Sequence, residues 1–521
     1  MSAPALAPTR RLAPGPVLRV GAKGAYRALA ELPGQPHELR SALVASTPRP
    51  AAGRSPRALA TFAHVTDLHL ADVQSPVRFE FMNREHADPR FHPLIPMHRP
   101  QEALNAHALD AMVRTLNRIE GGPIGGAPLE LVAMSGDAID NAQANELAAF
   151  FAVFAGGLAR PGSGGPRYEG VQSAAWPDGW FWKPDLAADA DPMQSGYGFP
   201  HLPGLLERAL EPFQAEGLRL PWIGCLGNHE LLVQGVGLVT PAVAAALVGT
   251  RKPVAMPPLF ERDTVAEDFI TRPHAFLAGR AVEVTADPSR RPLLPGDFLR
   301  AHPPGHGFTA ESARTGTAYY VHDTPAVRFI VLATASPDGA AEGRLDFAQA
   351  EWLGARLTEA RDRLVVIVSH HGLDHLANPR RAAGPGHLPP DQVLALLLRF
   401  PNVVLWLNGH THASRVQARA GSSGGFWEVT TCSLVDWPGQ ARLVELLDVG
   451  DDELEIACTM VDHATAANPE AAGTGAELAG LHRQLAANQP LGEFSRDLAG
   501  TPSDRNVVLR LPAPFPLRRT G

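Results

Sequence analysis

Five runs of apolar residues punctuate the chain, at Thr61 to Val65, Leu129 to Met134, Leu220 to Leu226, Leu364 to Val368 and Val403 to Leu407. They are short, rich in Val, Ile, Leu and Trp, and continuous rather than alternating. That pattern predicts strands buried on both faces, as in an α/β sheet. Between them, Leu104, Ala108, Met112, Leu116 and Ile119 fall at helical spacing and predict a helix over Glu102 to Ile119. Asn145 to Leu158, Phe347 to Arg361 and Asp391 to Arg399 read likewise as helices, and Val327 to Leu332 as a further strand. After His412, the runs Gly425 to Thr431, Gln440 to Asp448 and Glu453 to Val461 read as antiparallel strands extending a second sheet. No internal repeat shows.

Polar motifs follow each of the five apolar runs. In order they are Asp67-Leu68-His69, Gly136-Asp137-Ala138-Ile139-Asp140-Asn141, Gly227-Asn228-His229-Glu230, His370-His371 and Gly409-His410-Thr411-His412. Each therefore lies just past the carboxyl end of a predicted strand, where the loops of open α/β sheets converge on a crevice. Asp-x-His alone means little in a chain with 21 histidines. The conjunction of five motifs, each in its strand-end context, is what carries the signal.

The residues so placed are Asp67, His69, Asp137, Asn228, His370, His410 and His412: two carboxylates, one amide and four imidazoles, with no thiolate. Nitrogen and oxygen donors in this mix suit manganese, iron, zinc or cobalt. Seven ligands exceed the needs of one open catalytic ion and match two ions that share a carboxylate. Such pairs clamp the attacking and leaving oxygens of an in-line displacement. Their residual positive charge favours an anionic substrate, above all a phosphate.

These residues resemble the calcineurin-like metallophosphoesterases, whose signature is Asp-x-His, Gly-Asp-x-x-Asp, Gly-Asn-His-Asp/Glu, a later His and Gly-His-x-His; the long insertions resemble a large actinobacterial branch. The resemblance spans roughly residues 58 to 460 and implies an α/β fold, a four-layer α/β/β/α sandwich with long loop insertions. By it, Asp67, His69, Asp137 and His412 would hold one metal, and Asp137, Asn228, His370 and His410 the other, with Asp137 bridging. His370 is taken over His371 because it directly follows the strand. His229 would protonate the leaving alkoxide or steady the transition state, with Asp140 as its orienting partner. The expected activity is a metal-dependent phosphoesterase, phosphatase or phosphodiesterase, with two divalent or mixed-valence ions of manganese, iron or zinc and a metal-bridged hydroxide as nucleophile. A non-catalytic metal-binding protein on the same fold, and a nuclease, are the alternatives.

Composition narrows this further. A net charge of -8 argues against an extended nucleic-acid surface and leaves a small phosphorylated substrate as the expected partner. Cys225, Cys432 and Cys458 lie in apolar runs and read as buried thiols of a reducing compartment. No apolar run is long enough for a membrane span. Arg10-Arg11 invites a twin-arginine export reading, but Pro14, Pro16 and Arg19 break the hydrophobic region behind it, so a cytoplasmic location is expected.

Residues 1–57 read as a partly disordered N-terminal extension, 58–465 as the metallophosphoesterase domain and 466–521 as a C-terminal extension. Insertions at about 157–205 and 232–312 interrupt the domain. The first holds Trp176-Pro177-Asp178-Gly179-Trp180-Phe181-Trp182, read as a small satellite core in preference to a substrate platform. Behind His69, Arg78 and Arg84 are candidates to fork onto a phosphate oxygen, with His371 a third substrate-binding candidate.

Overall fold

The computed structural model describes residues 10–44, 56–294, 296–378, 380, 386–421, 424–450, 452–490 and 498–517. Among them, two large sheets stack face to face. One has seven strands in the order Glu38–Arg40, Val507–Pro512, Glu453–Asp462, Gln440–Gly450, Arg57–Val65, Leu131–Met134 and Trp222–Gly224. The other has six, in the order Tyr320–Asp323, Val327–Val331, Leu364–Val368, Val403–Asn408, Gly424–Thr430 and Arg415–Gly421. The strands that precede the five motifs are parallel within each sheet, so their carboxyl ends gather at one edge.

Strand pleating explains why these segments are apolar throughout. In the six-stranded sheet, Phe329, Val331, Val366 and Val368 turn inward and join Phe62, Val65 and Val444 of the opposite sheet in one core. The rings of Phe62 and Phe329 meet edge to face across it, 5.1 Å apart. The alternate residues Ile330, Leu332, Val365 and Ile367 turn outward onto Leu353 and Leu357 of helix Phe347–Glu359 and onto Val393 and Leu397 of helix Pro390–Leu397. Helices Asn105–Leu116 and Ala144–Phe154 bring Met112, Val113, Phe150 and Val153 to the other sheet. The result is the four-layer α/β/β/α sandwich that the resemblance implied.

Two expectations change. Gly424–Thr430 does not join the second sheet with the strands that follow it; it runs parallel to Val403–Asn408 and antiparallel to Arg415–Gly421. The chain crosses between the sheets only afterwards, through 431–439, and Gln440–Gly450 then pairs with the open edge of Arg57–Val65. The flanking segments are also built in. Arg10–Val20 and Ala25–Pro33 form a hairpin, Glu38–Arg40 pairs with Val507–Pro512, and the latter two strands belong to the seven-stranded sheet. Tyr26 and Leu29 are buried against the rest of the molecule: Tyr26 meets Phe199 edge to face, and Leu29 packs with Trp437, Ala467 and Ala486. Residues 1–9 and 45–55 of the expected extension lie outside the described residues. No helix among the described residues is long and apolar enough to cross a membrane.

The insertions carry small cores of their own. Val243, Phe269 and Phe276 of the second pack on Phe79, Phe81 and Phe91 of the loop behind His69. In the first, Trp176, Phe181 and Trp182 are buried, and the Trp182 indole N–H donates to the Pro200 carbonyl at 3.0 Å. Trp182 packs on Phe199, and Asp191 caps the short helix Pro192–Tyr197 beside it. Such a residue holds the insertion together from inside. Replacing Trp182 with Ala is expected to cost about 3–5 kcal/mol of stability, measured by denaturant unfolding, and to leave metal content per folded chain unchanged. Loss of metal without loss of stability would show that the insertion serves the site directly.

Candidate metal centre

Val65, Met134 and Gly224 end strands of one sheet, and Val368 and Asn408 end strands of the other, so the five motifs face one another across the gap between the sheets. The loops turn sharply. Asp67, His69, Asp137, His410 and His412 have φ of 52°, 44°, 52°, 68° and 59°, a left-handed conformation that L-residues adopt at a cost of roughly 1–2 kcal/mol each. The surroundings over-determine these turns. The amides of Leu68 and His69 both donate to the Asp137 carbonyl, at 2.8 and 3.0 Å. Buried Glu230 accepts from the amides of Gly227, Asp137 and Ala138 at 2.7, 3.0 and 2.7 Å, and buried Glu146 accepts from those of Asp72 and Asn141 at 2.9 and 2.7 Å. Gly227 and Gly409 are required by close approach: a Cβ on either would collide with the carboxylate of Asp137 or Asp67.

At the first cluster, Nε2 of His69 and Nε2 of His412 lie 3.1 Å apart, with Asp67 Oδ1 at 3.9 and 3.4 Å. The Nδ1 atom of His69 meets Asp140 Oδ1 at 3.2 Å, and that of His412 meets Asp436 Oδ2 at 2.6 Å. Both Nδ1 atoms must therefore donate, which turns two imidazole lone pairs and a carboxylate oxygen toward one point. Three acceptors so placed repel unless a cation or a proton sits among them.

The second cluster repeats the logic. His370 Nδ1 donates to the Ser135 carbonyl at 2.9 Å, so Nε2 faces Asn228 Oδ1 at 2.9 Å and Asp137 Oδ2 at 3.1 Å. Asn228 is oriented by its own amide group, which donates to the Gly235 carbonyl at 2.9 Å. Asp137 Oδ2 also lies 3.8 Å from His69 Nε2, so one oxygen stands between the two clusters. The His410 amide donates to Asp67, and its ring lies 5.3 Å from that of His370 with neither ring nitrogen hydrogen-bonded among the described residues. Burial disfavours charge on His370 and His412, yet Asp137 and Asp67 outweigh it and lift both to about 9. In this state protons fill the place of a cation, and a metal would displace them. The donor set thus fits the two ions that the motifs implied.

Several of the expected roles need correcting in their details. The Asp140 carboxylate orients His69 instead of His229; it is the Asp140 backbone carbonyl that accepts from His229 Nδ1, at 2.6 Å. Arg78 is fully buried, held by Asp140, Glu102 and the Met97 carbonyl, and presents nothing to the cavity. Arg84 is tied to Asp178 and the Val254 carbonyl of the insertions. His371 is buried with both nitrogens committed, to Thr334 Oγ1 at 2.9 Å and the Ala341 carbonyl at 2.8 Å, so it is neither a substitute for His370 nor a substrate contact.

Motif reading missed Asp436, Arg99 and Glu102. Arg99 Nε lies 2.7 Å from Asp436 Oδ1 and its Nη1 3.3 Å from Glu102 Oε1; Glu102 Oε2 meets Arg78 at 2.6 Å, and Arg78 meets Asp140. Asp140 to Asp436 is thus a buried chain of alternating charge whose two ends orient His69 and His412. No local spacing signals it, because its members come from three separate segments.

Beside the clusters, His229 lies edge-on to His69, and its amide donates to Asp137 Oδ1 at 2.9 Å. Its Nε2 stands 4.0 Å from Asp137 Oδ2 on the cavity side. Burial is the larger influence on His229 and pushes its pKa down to about 4 against the pull of Asp137. The cavity holds about 260 Å³ and is floored by His69, Asp137, Asn228, His229, His410 and His412.

Because Asp436 sets the His412 tautomer, Asp436→Asn is expected to weaken metal affinity about 10- to 100-fold with every ligand still present. Competition against a chelator of known affinity measures this, and unchanged affinity would remove Asp436 from the centre.

No family model and no curated protein matches the chain. Among solved structures it is similar to purple acid phosphatase PPD1 from yellow lupin (Lupinus luteus) seeds, at 10% identity and a TM-score of 0.30 over 83% of this chain and 54% of that one. It is also similar to the Thermus thermophilus sulfate thiohydrolase SoxB in complex with glycerol, at 14% identity and a TM-score of 0.28 over 79% and 58%. A third is a Staphylococcus aureus protein described as a 5'-nucleotidase, at 12% identity and a TM-score of 0.26 over 77% and 54%. The chain spans a little over half the length of each. Likenesses this distant add no functional weight to the side-chain geometry.

Proposed function

We propose that this protein is a metal-dependent phosphoesterase, a hydrolase of phosphoric esters working through a dinuclear centre. The observation that carries this reading is the placement of Asp137 Oδ2, 3.1 Å from His370 Nε2 in one cluster and 3.8 Å from His69 Nε2 in the other. Asp67, His69, Asp137 and His412 would hold one ion, and Asp137, Asn228, His370 and His410 the other. Bound there, manganese, iron or zinc would supply Lewis acidity toward the phosphoryl oxygens and activate water for attack.

The chain's own residues do the rest. Asp140 and Asp436 fix the tautomers of His69 and His412, so that ligand lone pairs are presented before any ion arrives. His229 manages the proton of the leaving group at Nε2, the atom that faces the cavity. Its Nδ1–H is held by a neutral carbonyl, so the charge the ring acquires is compensated by Asp137, 4.0 Å from Nε2, and by Asp140, 3.7 Å from Nδ1. A proton taken up there as an anionic ester enters is then delivered to the departing oxygen.

After reconstitution with manganese, mass spectrometry is expected to find close to two ions per chain; a value that stays at or below one overturns the dinuclear reading. His229→Asn is expected to reduce hydrolysis of aryl phosphate esters by roughly 10²- to 10⁴-fold while metal content stays normal. Asp137→Asn should lose metal and activity together. Should His229→Asn empty the site, His229 is a ligand and the division of roles fails.

A further inference from the structure

Three neighbouring strands of the six-stranded sheet, Val327–Val331, Leu364–Val368 and Val403–Asn408, run parallel, so the loops that follow them leave the same edge side by side. The first loop carries Glu342, the second His375 and the third His410. Backbone hydrogen bonds stitch the first two loops together. The Gly343 amide donates to the His375 carbonyl at 2.9 Å, and the Asn378 side-chain amide donates to the Glu342 carbonyl at 2.7 Å. His375 Nδ1 then lies 3.1 Å from Glu342 Oε2, and the rings of His375 and His410 stand 5.2 Å apart. One carboxylate oxygen and two imidazole nitrogens thus fall within 4.8 Å of one another.

The dinuclear centre uses neither Glu342 nor His375. A glutamate beside a histidine is by itself an ordinary surface pair; the third donor is what changes its meaning. His69, His370 and His412 each have one ring nitrogen held by a carboxylate or a carbonyl, whereas neither nitrogen of His410 is hydrogen-bonded among the described residues. One of its nitrogens can serve the second cluster, and the other is left for a different partner. Asp374, the next carboxylate, is already paired with Arg419 at 3.0 Å.

Two imidazoles and a carboxylate, with a fourth position left to water, make a ligand set suited to zinc. Zinc at about 2.0–2.2 Å from each donor of a tetrahedral shell sets the donors about 3.4 Å apart. Glu342 and His375 are already that close, and small side-chain rotations toward His410 close the remainder. Their side chains are 43% and 33% exposed, so an ion and its water reach them without disturbing the core. Zinc would displace the proton that Glu342 and His375 share and, where His410 also serves the second ion, the proton on its remaining nitrogen, both passing to solvent. Manganese binds nitrogen donors more weakly and gains less here. We propose that Glu342, His375 and His410 form a third metal site, selective for zinc, at the rim of the dinuclear centre. Because one ring serves both, filling this site changes the affinity of the second cluster, and by linkage the reverse holds by the same factor. The site shares His410 with the dinuclear reading and is otherwise separate from it.

Metal counting tests it without recourse to turnover. The full chain, Glu342→Gln and His375→Gln are each dialysed to equilibrium against a buffered zinc series, with manganese in a parallel series. The unaltered protein is expected to take up a third zinc, more weakly than the first two, and to stop at two with manganese. Each variant should weaken the third step by at least the about 10- to 100-fold that loss of even an orienting partner costs, with the first two ions in place. Zinc uptake that ends at two, or a third zinc that binds both variants as tightly as the unaltered protein, overturns the site. A third manganese held as tightly as the third zinc overturns the selectivity. Loss of the second ion from either variant, with no third step in the unaltered protein, would mean that the pair only orients His410. In each of these cases the dinuclear reading stands, since it falls only if manganese uptake stays at or below one.

Discussion

The Nε2 atoms of His69 and His412 stay 3.1 Å apart because a buried chain of alternating charge grips the far side of both rings. Asp140, Arg78, Glu102, Arg99 and Asp436 run from one histidine to the other, and each is more than nine-tenths buried except Asp436 at the cavity wall. Away from water, every charge in the chain needs both neighbours. Removing one partner of such a pair strands the other, at a typical cost of about 3–5 kcal/mol. That cost makes the spacing rigid: neither histidine can rotate toward a private hydrogen bond without unpairing the chain behind it.

Backbone strain enters for the same reason. Five of the seven proposed ligands stand in left-handed conformations, and a chain free to relax would leave them. Glu230 and Glu146 hold the turns by collecting amides from separate motifs, so the loops are fixed to one another as well as to their strands. In Gly-Asn-His-Glu, the glutamate thus has a structural task as demanding as that of the asparagine. Burial raises Glu230 to about 8, the larger influence, with Asp137 adding to it.

The segments flanking the sandwich and the loops inserted into it shape the cavity. The hairpin Arg10–Pro33 and the helix Gly475–Ala487 meet behind Trp437, and the second insertion packs on the loop that carries Leu94 to Met97; these residues line the cavity wall. An apolar collar over a polar floor needs such support, because side chains that shun water at the mouth of a cavity hold their places only if something packs behind them.

Much of this is legible along the chain. The five strands, the helices between them and the seven ligand types are local properties: continuous apolar runs, helical spacing, and polar motifs at strand ends. The buried thiols Cys225, Cys432 and Cys458 are readable in the same way. What only the tertiary structure decides is pairwise and long-range. Nothing near Asp140 in sequence tells whether its carboxylate serves His69 or His229, since the choice depends on which ring the fold brings within 3.2 Å. Arg78 reads as available for substrate along the chain, and only the fold encloses it between Glu102 and Asp140. Asp436 sits in no motif and matters because the crossing between sheets sets it beside His412 and Arg99. Gly424–Thr430 stays in the sheet of Val403–Asn408 because strand pairing is settled by which edge is open, and an edge has no address in the sequence.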